Sequence, residues 1–227
     1  MKRITCILLL LLFLVCAFVL TGSAETVASG TCGDGMTWML DDEGTLTIGG
    51  SGAIDDYRVR LWVSHGQEVY SPWYAYREEI LSVVIDSGVT RIGNQAFTDC
   101  NSISEVFIAD TVEEIGAGAF AYCSQLSEVL LPNSVTLIEK NAFQYCSALE
   151  TVTLSTQLTE FGESVFSYCE SLESVGEIPS GVTVLPLRLF ENCSSLSDVT
   201  LPSSLVCSSL FRSCSTIFTY SRRLFSF

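Results

Sequence analysis

Cysteines and carboxylates are the residues of this 227-residue chain whose types and spacing invite chemistry. A phenylalanine stands three residues before a cysteine in the pairs Phe97/Cys100, Phe120/Cys123, Phe143/Cys146, Phe166/Cys169, Phe190/Cys193 and Phe211/Cys214. A zinc site needs four ligands that converge on one point, whereas thiols at one repeated position lie along a line. We therefore predict buried, reduced thiols that pack as small hydrophobic groups. Disulfides between neighbouring units are the alternative, since export favours oxidation.

Other candidate groups do not assemble into a recognisable site. Cys32 and Cys207 lie outside the regular series and are the thiols expected to react or pair first. The run Asp41-Asp42-Glu43-Gly44 lacks the spaced oxygens and distal glutamate of a calcium loop, so a solvated hairpin turn is expected there. The single histidine, His65, has no strained nucleophile turn or oxyanion donors beside it. We predict no catalytic residue, no metal and no cofactor.

The overall charge excludes two classes of partner. The chain has 11 Lys and Arg against 26 Asp and Glu, a formal net charge of −15. Nucleic acids and anionic membrane surfaces both select clustered cations, so neither is expected to bind. Hydrophobic residues make up 48% of the chain and charged residues 16%, which argues against intrinsic disorder.

Residues 1–24 are typical of an export signal. Lys2 and Arg3 precede an apolar run, and Gly22 and Ala24 suit the positions before a signal-peptidase cut, so cleavage is expected after Ala24. A lipoprotein signal at Cys16 is disfavoured by the preceding valine. An uncleaved anchor stays open because roughly 17 apolar residues is the lower limit for crossing a bilayer. Cleavage predicts a secreted or cell-surface protein without membrane insertion.

The Phe-x-x-Cys pairs belong to a repeat of about 23 residues. Each unit carries an alternating stretch such as Leu126-Ser-Glu-Val129-Leu-Leu131, in which Val129 and Leu131 point inward along a short strand and Pro132 ends it. The Ala-Phe-x-x-Cys stretch predicts a tight helical or 3-10 turn. One unit cannot bury its own apolar residues, so the units must stack with their strands in parallel.

The pattern L-x-x-V-x-L-P-x-x-V-x-x-I-x-x-x-A-F-x-x-C, from Leu126 to Cys146, resembles the BspA-type leucine-rich repeat family. The segments 30–38, 44–48 and 71–74 are similar to the amino-terminal part of exported bacterial members. The resemblance covers most of residues 30–214. It implies a solenoid at the cell surface or outside the cell that binds other macromolecules, often in adhesion or host contact. No catalytic residue comes with it.

These features divide the chain into a signal peptide (1–24), an amino-terminal β-hairpin cap (25–79), a repeat solenoid (80–214) and a degenerate last strand and tail (215–227). Trp38, Leu40, Leu46 and Ile48 would share one hairpin face, while Trp62 and Trp73 would plug the open end of the stack. The spacing of 24 between Cys169 and Cys193 predicts a bulge in the strand at 175–178, where Gly176 tolerates the backbone required.

The outward strand positions are the candidate binding site. Phe107 and Leu130 are predicted to form an exposed apolar strip bordered by two glutamates, and such patches mark partner sites. We predict that this face binds an extracellular protein or glycan. A shortened remnant without binding, which the degenerate tail favours, and a hydrolase with paired carboxylates on this face are the alternatives. The candidate residues are Glu105, Phe107, Glu128, Leu130, Thr151 and Thr153.

Overall fold

The protein is a β-solenoid, seen here in a computed structural model that describes residues 24–58 and 68–205. Its strands are β1 (Thr26–Gly33), β2 (Met36–Asp41), β3 (Thr45–Gly50), β4 (Gly52–Ala53), β5 (Ser82–Ile85), β6 (Val89–Ile92), β7 (Glu105–Ile108), β8 (Glu114–Ile115), β9 (Glu128–Leu130), β10 (Leu137–Ile138), β11 (Thr151–Thr153), β12 (Glu160–Phe161), β13 (Ser174–Glu177) and β14 (Asp198–Thr200). A 3-10 helix covers Tyr74–Tyr76.

The predicted strand of each unit is present, and these strands run parallel in register. Thr151 pairs with Glu128 and Thr153 with Leu130, so equivalent positions of successive units stack directly. Side chains alternate between the inner and outer faces of each strand. Val129 is buried, while its neighbours Glu128 and Leu130 are exposed. We call β5, β7, β9, β11, β13 and β14 the first strand column, and its outward positions the strand face.

Four units also contribute a second short strand that was not predicted, whereas the unit closing with Val182 and Leu185 has none. The Val/Leu-x-x-Ile pair that closes a unit forms β6, β8, β10 or β12, and these pair in parallel with one another and with β4. Ile115 and Ile138 are fully buried, whereas the residues before them lie nearer the surface. We call this set the second strand column. The expectation of one strand per unit was therefore wrong.

The Ala-Phe-x-x-Cys stretch is a run of tight turns and not the expected helical or 3-10 turn. Two positions in each unit adopt a left-handed backbone, with φ between +54° and +65°, which no right-handed helix accommodates. Alternate N–H groups instead donate to the next layer, as from Phe97 to the Ala119 carbonyl at 2.8 Å. The left-handed residues are Gln95, Gly118, Asn141, Ser164 and Arg188 at the first position, and Asp99, Tyr122, Tyr145, Tyr168 and Asn192 at the second.

A column of stacked phenylalanine rings runs through the core. Successive centroids lie 5.0 to 5.8 Å apart with the rings nearly parallel. Trp73 extends the column, with its indole stacked on Phe97 at 5.3 Å and its Nε1–H donated to the Ala96 carbonyl at 2.9 Å. Trp73 is fully buried, as a plug at this end of the column requires.

The amino-terminal region is a three-stranded antiparallel arrangement joined to the solenoid. β2 pairs with β3 in the hairpin register, and β1, which was not predicted as a strand, pairs with β2. β3 then pairs in parallel with β5, which makes the region continuous with the first strand column. The four residues predicted to share a face are all buried: Trp38, Leu40, Leu46 and Ile48.

The predicted bulge is confirmed. The register between β13 and β14 shifts between Ser174 and Gly176, so that one extra residue is accommodated, and Gly176 has φ of +64°. Several predictions concern residues outside the described ranges: the signal peptide, Trp62, His65, Cys207, Cys214 and the tail 215–227.

Candidate functional site

The structure places all six candidate residues on the strand face with exposed side chains. Phe107 is 57% exposed and Leu130 is 62% exposed, so two large apolar groups stand in solvent on adjacent strands. Register pairing aligns Phe107 with Val84 and Leu130 with Thr153. Glu105 and Glu128 make no side-chain hydrogen bond or ion pair with any other described residue.

The ladder of the first strand column is interrupted between β7 and β9. The sheet that begins at β1 ends at β7, and a separate sheet runs from β9 to β14. Elsewhere the strands are joined by bonds such as Glu150 N–H to the Ser127 carbonyl at 2.8 Å. In the second column β6, β8 and β10 stay paired through the same layers. The layers therefore lose their strand pairing on the strand face alone, although Cα atoms of β7 and β9 still lie within 8 Å of each other.

An apolar cleft of about 310 Å³ opens at this interruption. Val106 and Ile108 are only partly buried here, although their counterparts Val129 and Leu131 one layer on are buried. Partial burial of inward side chains shows that the gap reaches into the core side of the strands. The residues that line the cleft are Ile85, Val106, Phe107, Ile108, Ala109, Leu130 and Pro132.

Carboxylates stand at both ends of the cleft. Glu105 and Glu128 begin β7 and β9, while Asp86 and Asp110 directly follow the lining residues Ile85 and Ala109, and all four carboxylates are exposed. No lysine or arginine occupies an outward position of β3, β5, β7, β9, β11 or β13. The cleft is thus an apolar patch in a uniformly acidic setting.

The sequence could identify Phe107 and Leu130 but not the cleft between them. The two units have the same length, 23 residues from Phe97 to Phe120 and from Phe120 to Phe143, so no insertion marks the interruption. Its location depends on how two layers are spaced in three dimensions. Adjacent bulky outward residues, which occur together only at Phe107 and Leu130 among neighbouring repeat strands, were the one available signal.

The five repeated cysteines that lie within the described residues are buried and unbridged: Cys100, Cys123, Cys146, Cys169 and Cys193. The thiols of Cys123, Cys146, Cys169 and Cys193 each donate to the carbonyl of a phenylalanine one layer back, as from Cys146 Sγ to Phe120 at 3.2 Å. Burial raises the pKa of these thiols, to about 12 at Cys193. The expectation that Cys32 is a reactive thiol was wrong, because this residue is also buried. Burial and the nearby Asp55 charge raise the pKa of Cys32 to about 11.

Two carboxylates that do come close together are Glu114 and Glu139. They lie on the second strand column and not on the strand face, where the hydrolase alternative placed such a pair. Arg91 donates to Asp56 at 2.7 Å, to Glu114 at 2.9 Å and to Glu139 at 3.2 Å. Burial and a hydrogen bond with Glu114 raise the pKa of Glu139. A guanidinium that bonds all three carboxylates makes this cluster an ion-pair network across layers.

The acidic run at 41–44 is the turn between β2 and β3. Asp41 Oδ1 accepts the N–H groups of Glu43 at 3.0 Å and Thr45 at 2.8 Å, which occupies one of its oxygens within the turn. Within residues 24–58 and 68–205, no group of three or more Cys, His, Asp or Glu side chains is arranged to hold a metal ion.

Comparison with known proteins decides the family. Residues 67–197 match six copies of the BspA type leucine rich repeat region. The chain belongs to the BspA-type leucine-rich repeat family. No match is found among functionally curated proteins.

Several solved structures resemble this BspA-type repeat protein. A leucine-rich repeat protein from Bacteroides ovatus is 29% identical with a TM-score of 0.55, over 76% of this chain and 47% of that chain. The leucine-rich repeat protein of T. pallidum is 22% identical with a TM-score of 0.53, over 86% and 97%. One from Eubacterium ventriosum is 23% identical with a TM-score of 0.50, over 78% and 61%. The chain thus spans about half to three fifths of two of these relatives, and the likeness concerns the fold.

None of the helices in the described ranges is both long and apolar enough to cross a membrane.

Proposed function

We propose that this BspA-type repeat protein acts outside the cell, secreted or at the surface, and binds a macromolecular partner, a protein or glycan, through the strand face. The observation that carries the proposal is the pair of exposed apolar side chains, Phe107 and Leu130, on either side of an apolar cleft. An exposed apolar surface around a concave opening is typical of a binding site.

The proposed domain organisation supports this function. Export through a leader at residues 1–24 would deliver the solenoid to the exterior, with residues 25–79 closing one end of the stack and residues 80–214 presenting the strand face. The partner contacts would extend from the cleft to Glu105, Glu128, Thr151 and Thr153, whose side chains are exposed in the same two register columns. The role that we propose for this binding is adhesion to another cell or to a host surface.

Binding to defined partners tests the proposal. The purified protein is assayed against a panel of isolated extracellular-matrix proteins and against a glycan array, alongside the variant Phe107→Ser/Leu130→Ser. The matched control is Leu187→Ser, which replaces another exposed leucine, 49% exposed and far along the chain from the cleft. We expect a partner whose binding falls at least about tenfold in the double variant and is kept in the control.

Two results would contradict the proposal. Binding that is equal in the wild type and the double variant would place the contact elsewhere on the molecule. Absence of binding to every member of both panels, with folded protein verified by circular dichroism, would favour the remnant without binding.

A further inference from the structure

We infer that the occupant of the cleft is an extended polypeptide segment that carries two cationic side chains about five residues apart with an apolar side chain between them. This inference rests on the proposed function of the strand face and specifies the chemistry of its partner. It follows from three features of the site: the apolar lining, the placement of the carboxylates and the unpaired strand edges.

The lining requires an apolar group. All seven lining residues are hydrophobic or proline, and the cleft volume of about 310 Å³ exceeds that of any single side chain. A sugar ring would bring several hydroxyl groups into this opening, and their desolvation is costly without hydrogen-bonding partners. A leucine, phenylalanine or similar side chain between Phe107 and Leu130 buries apolar surface on both partners.

The carboxylates favour cations at both ends of the bound segment. Glu105 and Asp110 are separated by five residues of nearly extended chain, which corresponds to roughly 16 Å. An extended segment that follows the cleft places residues i and i+5 over the same distance; because their side chains leave opposite sides of the segment, one of the two cations reaches its carboxylate through the long, flexible lysine or arginine stem. Since Glu105 and Glu128 have no cationic partner among the described residues, incoming lysine or arginine side chains would supply one.

The interruption supplies main-chain hydrogen-bonding groups. In the paired part of the column, the Thr151 N–H donates to the carbonyl of Ser127, the residue directly before β9. Glu128 holds the same position as Thr151 in the preceding layer. The equivalent groups of β9 face β7, with which they do not pair. Cα atoms of β7 and β9 lie within 8 Å of each other, closer than the roughly 10 Å that an inserted strand would need, so a bound peptide lies over the opening and its backbone reaches these groups from the solvent side.

The same charges oppose the binding of a second copy. The chain has a net charge of −15, and every charged residue at the rim of the cleft is a carboxylate. Self-association through this face would bring like charges together, which is unfavourable. A basic partner is attracted by the same field.

Fluorescence anisotropy with labelled peptides tests the inference. The probe is Lys-Ser-Leu-Phe-Ser-Lys, in which the cations are five residues apart. Three comparison peptides replace both lysines by glutamate, replace Leu and Phe by serine, or move both lysines to one end. We expect the probe to bind best by at least about tenfold and to weaken as salt rises to about 0.3 M.

Protein variants connect the peptide to the cleft. Leu130→Ser should weaken the probe at least about tenfold, and Glu105→Gln/Glu128→Gln should weaken it several-fold while flattening its salt dependence. Leu187→Ser and Glu160→Gln, which change an exposed leucine and an exposed glutamate away from the cleft, should leave binding unchanged. Thermal melts of each variant verify that it is folded.

The outcomes separate this inference from the proposed function. If the cleft variants abolish binding of a matrix protein or glycan but the four peptides bind equally or not at all, the strand face binds a partner and the basic peptide inference is wrong. Competition of a glycan for the cleft, or a dimer that Leu130→Ser dissociates, would also overturn it. If neither macromolecules nor peptides depend on the cleft residues, both proposals fail.

Discussion

The thiols of four repeated cysteines are hydrogen-bond donors as well as packing groups. Cys123, Cys146, Cys169 and Cys193 donate to the phenylalanine carbonyl one layer back at 3.0 to 3.3 Å. The same carbonyl accepts the cysteine N–H of its own layer, as Phe120 does from Cys123 at 3.2 Å. The thiol thus uses the second lone pair of a buried carbonyl, which explains why a small polarisable donor recurs where alanine would also fit.

Alkylation of the native protein checks this arrangement. Thiolate is the reactive form, and each unit of raised pKa lowers its fraction tenfold. We expect Cys100, Cys123, Cys146, Cys169, Cys193 and also Cys32 to remain unlabelled in the folded protein and to label fully in denaturant. Mass spectrometry of digested protein locates the modified sites. Rapid native labelling at these positions, or a mass that indicates disulfides, would contradict the buried thiol column.

Two phenylalanines with opposite surroundings provide a stability test. Phe143 is fully buried between Phe120 and Phe166, so Phe143→Ala should lower the free energy of unfolding by roughly 3–5 kcal/mol through the cavity that it leaves. Phe107 is 57% exposed, and Phe107→Ala should cost at most about 1 kcal/mol. Chemical denaturation compares the two. Equal losses would mean that the strand faces are reversed.

At the scale of the element, two glycines test different constraints. Gly176 has φ of +64°, but a Cβ there would meet no atom within 4 Å. Gly176→Ala should therefore lower the free energy of unfolding only by the strain of a left-handed backbone at alanine, about 1–2 kcal/mol. A Cβ on Gly162 would overlap the backbone nitrogen of Lys140 in the adjacent layer. We therefore expect Gly162→Ala to be the more destabilising variant in urea titrations. The reverse order would show that the layers can separate there at little cost.

The Arg91 network gives the second strand column a pH dependence. Partial burial acts to raise the pKa of Asp56 and of Glu114, but hydrogen bonds outweigh it and hold both pKa values below their usual range. A carboxyl whose pKa is lowered on folding stabilises the protein above its unfolded pKa, and this contribution is lost as the pH falls through the folded value. The pKa of Glu139 is raised instead. Ionised Glu139 therefore destabilises the protein, and this cost is lost as the pH falls and the carboxyl is protonated.

Arg91→Met should therefore destabilise the protein at pH 7, and the difference from the wild type should shrink as the pH falls below about 4.5. Solvent screening limits the effect, since the Asp56 side chain is 53% exposed. Glu139→Gln should cost less than Arg91→Met at pH 7, because it removes a charge that the fold disfavours. Thermal melts across pH measure all three proteins, with Glu160→Gln as the control. A difference independent of pH would contradict the assigned role of the carboxylates.

The elements show what the sequence can and cannot predict. Alternation around Val129 predicts the first strand column, and the extra residue near Gly176 predicts the bulge, because both depend on local periodicity. The second column escapes prediction, since strands as short as Leu137–Ile138 leave no alternation to detect. The turn was mistaken for a helical one because the left-handed backbone at Tyr122 and Tyr145 involves residue types that give no signal of it.

Across the whole molecule, a continuous core coexists with an interrupted surface sheet. The phenylalanine column and the second strand column pass without a break through the layers of β7 and β9, while the first column divides between them. The cleft is therefore held open by layers that stay joined behind it. Such a site is preformed, and a partner that enters it spends little energy on ordering the protein.

Hydrogen exchange of single amides tests the interruption directly. The Leu131 N–H donates to the Thr153 carbonyl at 3.0 Å, whereas the neighbouring Leu130 N–H faces β7 and has no strand partner. An amide without a protein acceptor exchanges through small local openings, whereas a bonded core amide waits for larger ones. We expect the amides of Glu128 and Leu130 to exchange at least about tenfold faster than those of Leu131 and Glu150, which donate at 3.0 and 2.8 Å. The four amides lie on or directly beside adjacent strands, so global unfolding would exchange them alike and cannot produce this difference. Slow exchange at Leu130, equal to that at Leu131, would mean that β7 and β9 pair in solution and that the cleft is closed.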